Sequence, residues 1–184
     1  MITLKWIIFI VSSFSIIFVS RKSLMDRKSH GFYRFFAWEF ILILFLLNVE
    51  FWFLKPFAPN QIVSWIFLFS STYYVIEGFR LLRTMGKTTE QRPEKHLYKL
   101  EKTSRLVTAG IYKYIRHPMY GSLLFLAWGI FFKSVSVTGF FLVIGISLFL
   151  FWTAKIEEKE NINYFGHKYT IYRERTKFFI PKIW

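Results

Sequence analysis

Cysteine is absent from all 184 residues, which excludes disulfides, zinc–thiolate centres and a cysteine nucleophile. Internal repeats and low-complexity linkers are missing too, so the chain reads as one domain, 1–184. The serine pairs Ser12-Ser13 and Ser70-Ser71 have no His-Asp context, and a hydrolase triad is unsupported. No small-residue cleavage pattern follows the first apolar run, only Arg21-Lys22. That run therefore reads as a membrane helix and not as a signal-peptide core. Acidic residues are few: 11 Asp and Glu stand against 25 Lys and Arg, a formal net charge of +14.

Apolar surface, by contrast, is abundant. Hydrophobic residues make up 54% of the chain and aromatics 22%, with 24 Phe and 7 Trp, and the mean hydropathy is +0.34. Apolar and charged residues fall in separate blocks, the pattern of a membrane protein. The cations flank apolar spans, so a lipid bilayer with anionic headgroups is the expected partner, and nucleic acid is not.

Ile2–Ser20 is the first expected span, followed by a basic loop, Arg21–Arg34. Phe35–Leu54 is the second, and its roughly 20 residues rise ~30 Å as a helix, the thickness of the hydrocarbon core. Lys55-Pro-Phe-Ala-Pro59 breaks it, and Gln61–Phe79 is the third. The polar stretch Arg80–Arg116, interrupted by Gly86 and Pro93, is too long for a turn and is expected to form a lid. Pro118–Phe132 is a shorter apolar run, Lys133–Val137 a turn, and Thr138–Ala154 the final span. In the basic tail, Tyr164, Phe165, Tyr169, Tyr172, Phe178, Phe179 and Trp184 suit the membrane interface. The segments are thus three spans in 1–79, a loop in 80–117, a helical hairpin in 118–154 and a tail in 155–184. Every Lys and Arg except Lys5, Lys55 and Lys133 falls on one side of a five-span arrangement. The expected fold is all-α and polytopic, with five transmembrane helices, the N-terminus outside, and the loop and tail in the cytoplasm.

The stretch Leu106–Tyr120 starts with a Gly-containing turn and ends in Arg116-His117-Pro118 as an apolar helix begins. Proline at the first helical position is pre-organised, and the free amides after it favour an anion. Folding the last two spans about Val135 sets His117 level with Thr153. Glu157 and Glu158 then lie about one helical turn beyond it. Arg116-His117 and Glu157-Glu158 should meet at the cytoplasmic face, a basic corner opposite paired acids that suits a zwitterion. The competing reading of the pair is a solvated helix end. Of the carboxylates in or near spans, Glu77 is spaced to pair with Arg80, and Glu39 and Glu50 stand close to span ends.

These residues resemble the isoprenylcysteine carboxyl methyltransferase and phospholipid methyltransferase superfamily. The matching positions are Leu106-Val107, Gly110, Tyr112, Arg116-His117-Pro118-Met119-Tyr120, Glu157-Glu158, Phe165-Gly166, Tyr169, Tyr172 and Pro181. The resemblance implies an integral membrane methyltransferase that uses S-adenosyl-L-methionine, with its site at the cytoplasmic face of the last hairpin. It assigns Leu106, Val107 and Tyr112 to the adenosyl site, and His117, Pro118, Met119 and Tyr120 to the cofactor wall. Glu157 takes the cofactor amine, with Glu158 and Arg116 beside it as the candidate catalytic groups. Ser104 stands where those enzymes usually carry His, which gives the cofactor carboxylate to Arg105. Thr153 replaces an acceptor-binding Arg, and Met85-Gly86-Lys87-Thr88-Thr89 lacks a Trp. The implied acceptor is lipophilic, prenylcysteine-like by family or a phospholipid or other small N, O or S nucleophile, and no metal is implied. Two rivals stay open. One is an NADPH-dependent sterol reductase, although Gly121-Ser122 stands where those enzymes have Gly-Glu. The other is a non-enzymatic protein whose basic face binds anionic lipid.

Overall fold

The computed structural model describes residues 2–87, 97–98 and 101–181. Its described part consists of six helices: α1 (Ile2–Leu24), α2 (His30–Asn48), α3 (Pro59–Met85), α4 (Pro118–Lys133), α5 (Val137–Phe165) and α6 (His167–Arg175). Two 3-10 turns, Val49–Phe51 and Gly110–Lys113, join them. The expected break at Pro93, the Thr88-Thr89 end of the Met85 segment, and Trp184 lie outside the described residues.

Local signals set the helix starts. The Ser29 hydroxyl accepts from the Phe32 amide and opens α2, and Ser136 does the same for α5 through Gly139. Pro59 and Pro118 occupy the first turns of α3 and α4, where a missing N–H costs nothing. Several helices outrun the expected spans. Helix α2 begins at His30 rather than Phe35, α3 continues past Phe79 to Met85, and α5 continues past Ala154 to Phe165. Hydropathy marks the part of a helix that lipid touches, whereas capping marks where the backbone turns.

Among the described residues four helical stretches are long and apolar enough to cross a membrane: Ile2–Leu24, His30–Phe51, Pro59–Met85 and Val137–Phe165. Helix α4 has 16 residues and rises ~24 Å, short of a full crossing. It packs between α3 and α5, α2 lies along α5, and α1 rides mainly on α2. Leu44, Ala127, Ile130, Val143, Ile146 and Leu150 form the buried centre where α2, α4 and α5 meet. The outer faces carry apolar side chains such as Trp6, Phe14, Phe69 and Phe141, a surface suited to lipid.

Because α4 ends inside the bundle, its last four carbonyls need partners from the protein. Each has one. Asn48 Nδ2 donates to Ile130 O at 2.8 Å, the Ser134 amide to Phe131 O at 3.3 Å, Asn60 Nδ2 to Phe132 O at 3.1 Å, and Gln61 Nε2 to Lys133 O at 3.0 Å. Further along, Ser64 and Ser71 of α3 donate to Gly129 O and Ser122 O of α4. The two helices approach closely at Gly129, where a Cβ would lie 2.9 Å from the Leu68 side chain and 3.3 Å from its amide nitrogen.

The span carboxylates separate by partner. Glu77 accepts from Arg80 at 3.0 and 2.8 Å, as its spacing implied. Glu50 pairs with Lys5 at 2.7 Å. Glu39 departs from expectation, because the early start of α2 puts it midway along the helix and not near an end. There the Ser13 hydroxyl of α1 donates to it at 2.8 Å.

Replacing Asn48 with Leu leaves the Ile130 carbonyl unpaired in apolar surroundings, a loss of about 1–3 kcal/mol. Thermal unfolding of the detergent-purified variant should show a lower midpoint. An unchanged midpoint would mean that α4 does not depend on this cap.

Candidate active site

A cavity of about 340 Å³ opens where the end of α3, the start of α4, α5 and the tail converge. Three local devices build its wall. Gly110 has φ +56° and sits where a Cβ would meet Leu81 at 2.6 Å, so only glycine fits this left-handed turn. The turn it opens carries Tyr112, whose carbonyl accepts from the Tyr172 hydroxyl at 2.8 Å. Residues 114–117 run beside the end of the chain: Lys177 N donates to Tyr114 O, Arg116 N to Lys177 O and His117 N to Phe178 O, at 2.9, 2.9 and 3.2 Å.

Arg116-His117 and Glu157-Glu158 meet, as helix arithmetic requires. Arg116 Nε donates to Glu158 Oε1 at 2.5 Å, and its Nη1 donates to the carbonyls of Arg173 and Thr176. His117 Nδ1 lies 3.1 Å from Glu157 Oε2, and its Nε2 lies 3.5 Å from Glu158 Oε1. Burial disfavours a charge on His117, but hydrogen bonds to Glu157 and Glu158 outweigh it and raise its pKa above 6.5. The two acids do different work. Glu158 is 3% exposed and faces away from the cavity. Glu157 lines the cavity, and its Oε1 has no hydrogen-bond partner among the described residues.

Of the residues named from sequence, Leu106, Val107, Tyr112, Arg116, His117, Pro118, Met119, Tyr120 and Glu157 all line the cavity. Ser104 and Arg105 do not; both are exposed. Ser104 N and Oγ donate to Lys87 O, and Arg105 N donates to Gly86 O, pinning the loop to the end of α3. Thr153 is fully buried and its hydroxyl donates to Phe149 O, so it is turned into its own helix. Tyr169, Tyr172, Phe178 and Phe179 are buried, not interfacial as composition suggested: α6 turns Tyr169 and Tyr172 inward, and the strand-like return after it carries Phe178 and Phe179 inward. Burial raises the phenols of Tyr112, Tyr169 and Tyr172 above 10, and neighbouring Glu157 raises them further. They stay neutral at physiological pH.

Sequence reasoning missed a second cluster, contributed by α2. Arg34, counted as a loop cation, is 3% exposed inside α2 and lines the cavity. It pairs with Glu101 and lies 4.4 Å over the Tyr98 ring. Tyr98 in turn stacks on Trp38, with the ring planes 7° apart. His30 Nδ1 contacts Glu160 Oε2 at 2.7 Å, and its Nε2 is 3.7 Å from Glu101. Burial opposes ionisation of Glu101, yet Arg34 and His30 hold its pKa down at about 2. The one signal in the sequence was the i, i+4 spacing of His30 and Arg34, which puts both on one helical face. Among the described residues no cluster of three His, Asp or Glu is arranged to hold a metal.

The sequence pattern described as phospholipid methyltransferase matches residues 60–168. A methanethiol S-methyltransferase of Bradyrhizobium diazoefficiens is 29% identical over 120 residues, 64% of this chain and 39% of that protein. A protein-S-isoprenylcysteine O-methyltransferase of Dictyostelium discoideum is 28% identical over 154 residues, 79% of this chain and 62% of that protein. The chain thus spans less than two thirds of the length of either relative. No solved structure matches it.

Glu101→Gln leaves Arg34 buried without its counter-charge, a cost of about 3 kcal/mol. A lowered carboxylate pKa adds stability above its unfolded value that disappears as pH falls through the folded value. The wild-type advantage over Glu101→Gln should therefore hold above pH 4.5 and fade toward about 2, as read from chemical unfolding at several pH values. A constant difference down to the acid limit would exclude the pair as its source.

Proposed function

The chain belongs to the phospholipid methyltransferase family, and from that premise we propose that it moves a methyl group from S-adenosyl-L-methionine to a lipophilic acceptor within the membrane. The carboxylate of Glu157 carries this reading. One of its oxygens is held by His117, and the residue lines a cavity of about 340 Å³, inside the size range of small-ligand sites. An open carboxylate oxygen at a cavity wall fits the ammonium end of this cofactor. The amides of Met119 and Tyr120 in the first turn of α4 suit its carboxylate, a role that exposed Arg105 is not placed to take. Leu106, Val107 and Tyr112 would flank the adenosyl group. Arg116 and Glu158 act as positioning residues that hold His117 and Glu157 in place.

When bound, S-adenosyl-L-methionine supplies an electrophilic methyl group on a sulfonium. The protein aligns an incoming nucleophile with it, a largely entropic contribution. Val75, Phe79 and Leu123 and the neutral tyrosines keep the cavity poor in water. Charge is lost as an anionic nucleophile meets a sulfonium, so such a cavity favours the transition state. Both acids that line the cavity are engaged, Glu101 with Arg34 and Glu157 with His117. Once Glu157 also holds the cofactor amine, no further carboxylate among the described lining residues remains to strip a proton from an ammonium. The acceptor is therefore one that arrives ionised or ionises readily, a thiol or a carboxylic acid on an apolar body. The two relatives are named for a thiol and for isoprenylcysteine O-methylation, which supports this choice. Val75 and Phe79 line the cavity and are also exposed on the outer face of α3, the side from which a lipophilic acceptor would enter.

The topology proposed for this reaction has five crossings, with α4 completing its crossing inside the bundle. The N-terminus is outside, and the cavity faces the cytoplasm. The cysteine-free sequence suits a direct check. A single cysteine at Ser104 should react with an impermeant thiol reagent only from the cytoplasmic side, and one at Phe57 only from the other. Reaction of both from one side would refute the arrangement.

Calorimetry with S-adenosylhomocysteine tests the site itself. Wild type should bind, and Glu157→Ala and His117→Ala should each weaken binding about tenfold or more, ~1.4 kcal/mol. Equal binding by all three proteins would put the cofactor elsewhere. Labelled methyl transfer into matched lipophilic thiols, acids and amines then identifies the acceptor group, and a preference for amines would overturn the choice above.

A further inference from the structure

At the end of α4 opposite the cavity, Lys133 is 2% exposed, the largest fully buried side chain in the described protein. Its ammonium has three protons to donate and one hydrogen-bond acceptor, Gln61 Oε1 at 3.0 Å. It lies 3.5 Å from the centre of the Trp65 ring and 5.3 Å from that of Trp52. Aromatic faces favour a cation but carry no neutralising charge. Among the described residues no carboxylate stands within ion-pair distance of Lys133, and Glu50 at this end of the bundle is already tied to Lys5. A buried cation without a counter-charge is costly, and an anion brought beside it would offset that cost.

Beside it lies a separate cavity of about 230 Å³, bounded by Lys133, Lys55, Ser134, Asn60 and Gln61. The amide groups of Asn60 and Gln61 are committed to the carbonyls of Phe132, Phe51 and Lys133. The side-chain donors left for a ligand are the two ammonium groups, the Ser134 hydroxyl and the second Asn60 amide proton. Lys55 reaches this rim from a left-handed backbone, φ 47°, which a non-glycine residue seldom adopts and which tends to mark functional positions. Around the rim, Phe53, Leu54 and Phe57 are strongly exposed. Apolar side chains at the end of membrane-length helices belong at the boundary between acyl chains and headgroups.

We propose that Lys133 and Lys55 form a binding site for a phosphate group, either the headgroup of an anionic lipid or free phosphate, on the membrane face opposite the methyl-transfer cavity. The site is independent of the methyltransferase reading, since no residue of one lines the other. A bound phosphate supplies the charge that Lys133 lacks and holds the α4–α5 turn against the start of α3. Its chemistry does not require the acceptor or the cofactor.

The test compares thermal unfolding of the full-length, detergent-purified wild type with Lys133→Met, Lys55→Gln and the control Lys168→Gln, an exposed cation of the tail. Each protein is titrated with short-chain phosphatidylglycerol, with the matching diacylglycerol, and with inorganic phosphate. Phosphatidylglycerol should raise the wild-type midpoint well beyond diacylglycerol. That increment should persist in Lys168→Gln, be roughly halved in Lys55→Gln and vanish in Lys133→Met. An equal effect of inorganic phosphate identifies free phosphate as a sufficient ligand, and its failure identifies the lipid headgroup. Should Lys133→Met not fold, exposed Lys55→Gln carries the comparison. Equal increments in wild type and Lys55→Gln, or no increment from either inorganic phosphate or phosphatidylglycerol beyond diacylglycerol, would overturn the proposal.

Discussion

A helix of 16 residues that begins and ends within a bundle must have both ends satisfied by the protein, because hydrocarbon offers no hydrogen bonds. Much of this structure follows from that demand on α4. At its C-terminal end Asn48, Asn60 and Gln61 take the carbonyls, which fixes the starts of α3 and the close of α2 around it. At its N-terminal end the chain enters through Arg116 and His117. These two groups are tolerated because α5 outruns the apolar span and brings Glu157 and Glu158 to them. The same meeting that stabilises the helix start leaves a carboxylate at a cavity wall. Fold and candidate site are one solution to one constraint.

The division between the two glutamates follows from helix geometry. Neighbouring residues on an α-helix point about 100° apart, so Glu157 and Glu158 reach His117 from two sides and otherwise face different surroundings. Glu158 turns inward to Arg116, which is also bonded to the carbonyls of Arg173 and Thr176 and so ties the tail to the corner. Glu157 turns to the cavity. A second pair, Arg34 with Glu101, draws Tyr98 and residues 101–103 against α2 and closes the cavity from the other side. Arg34 lies outside the stretch that matches the family, 60–168. Part of the wall is therefore particular to the N-terminal half of this chain.

Membrane residence, the approximate positions of α1 to α5 and the meeting of Arg116-His117 with Glu157-Glu158 were all legible in the sequence. Each rests on a local or one-dimensional quantity: apolar run length, the spacing of turns, and helical rise counted from a hairpin. Readings that depended on the end of a helix or the direction of a side chain fared worse. Arg34 was a loop cation until the Ser29 cap drew it into α2. Glu39 moved from a span end to a span centre for the same reason. The tail aromatics changed from surface anchors to core, because a backbone pairing between Tyr114 and Lys177 cannot be inferred from composition.

By itself, then, the sequence determined a basic, cysteine-free bundle of apolar helices, and a motif whose order of Gly, Tyr, Arg-His-Pro and paired Glu names its family. Run lengths and short-range spacing survive folding unchanged, since helical rise per residue is constant. Only the tertiary structure decided which of two adjacent glutamates faces the cavity, that Arg34 and Glu101 share its wall, and that Lys133 is buried without a counter-charge. Those outcomes turn on contacts between residues far apart in the chain, where a shift of one residue rotates a side chain by about 100° and changes its partner. The corner at Leu106–Tyr120 and the acids opposite it could be reached from letters and helix arithmetic, but the Arg34–Glu101 pair that shares the cavity wall could be settled only in three dimensions.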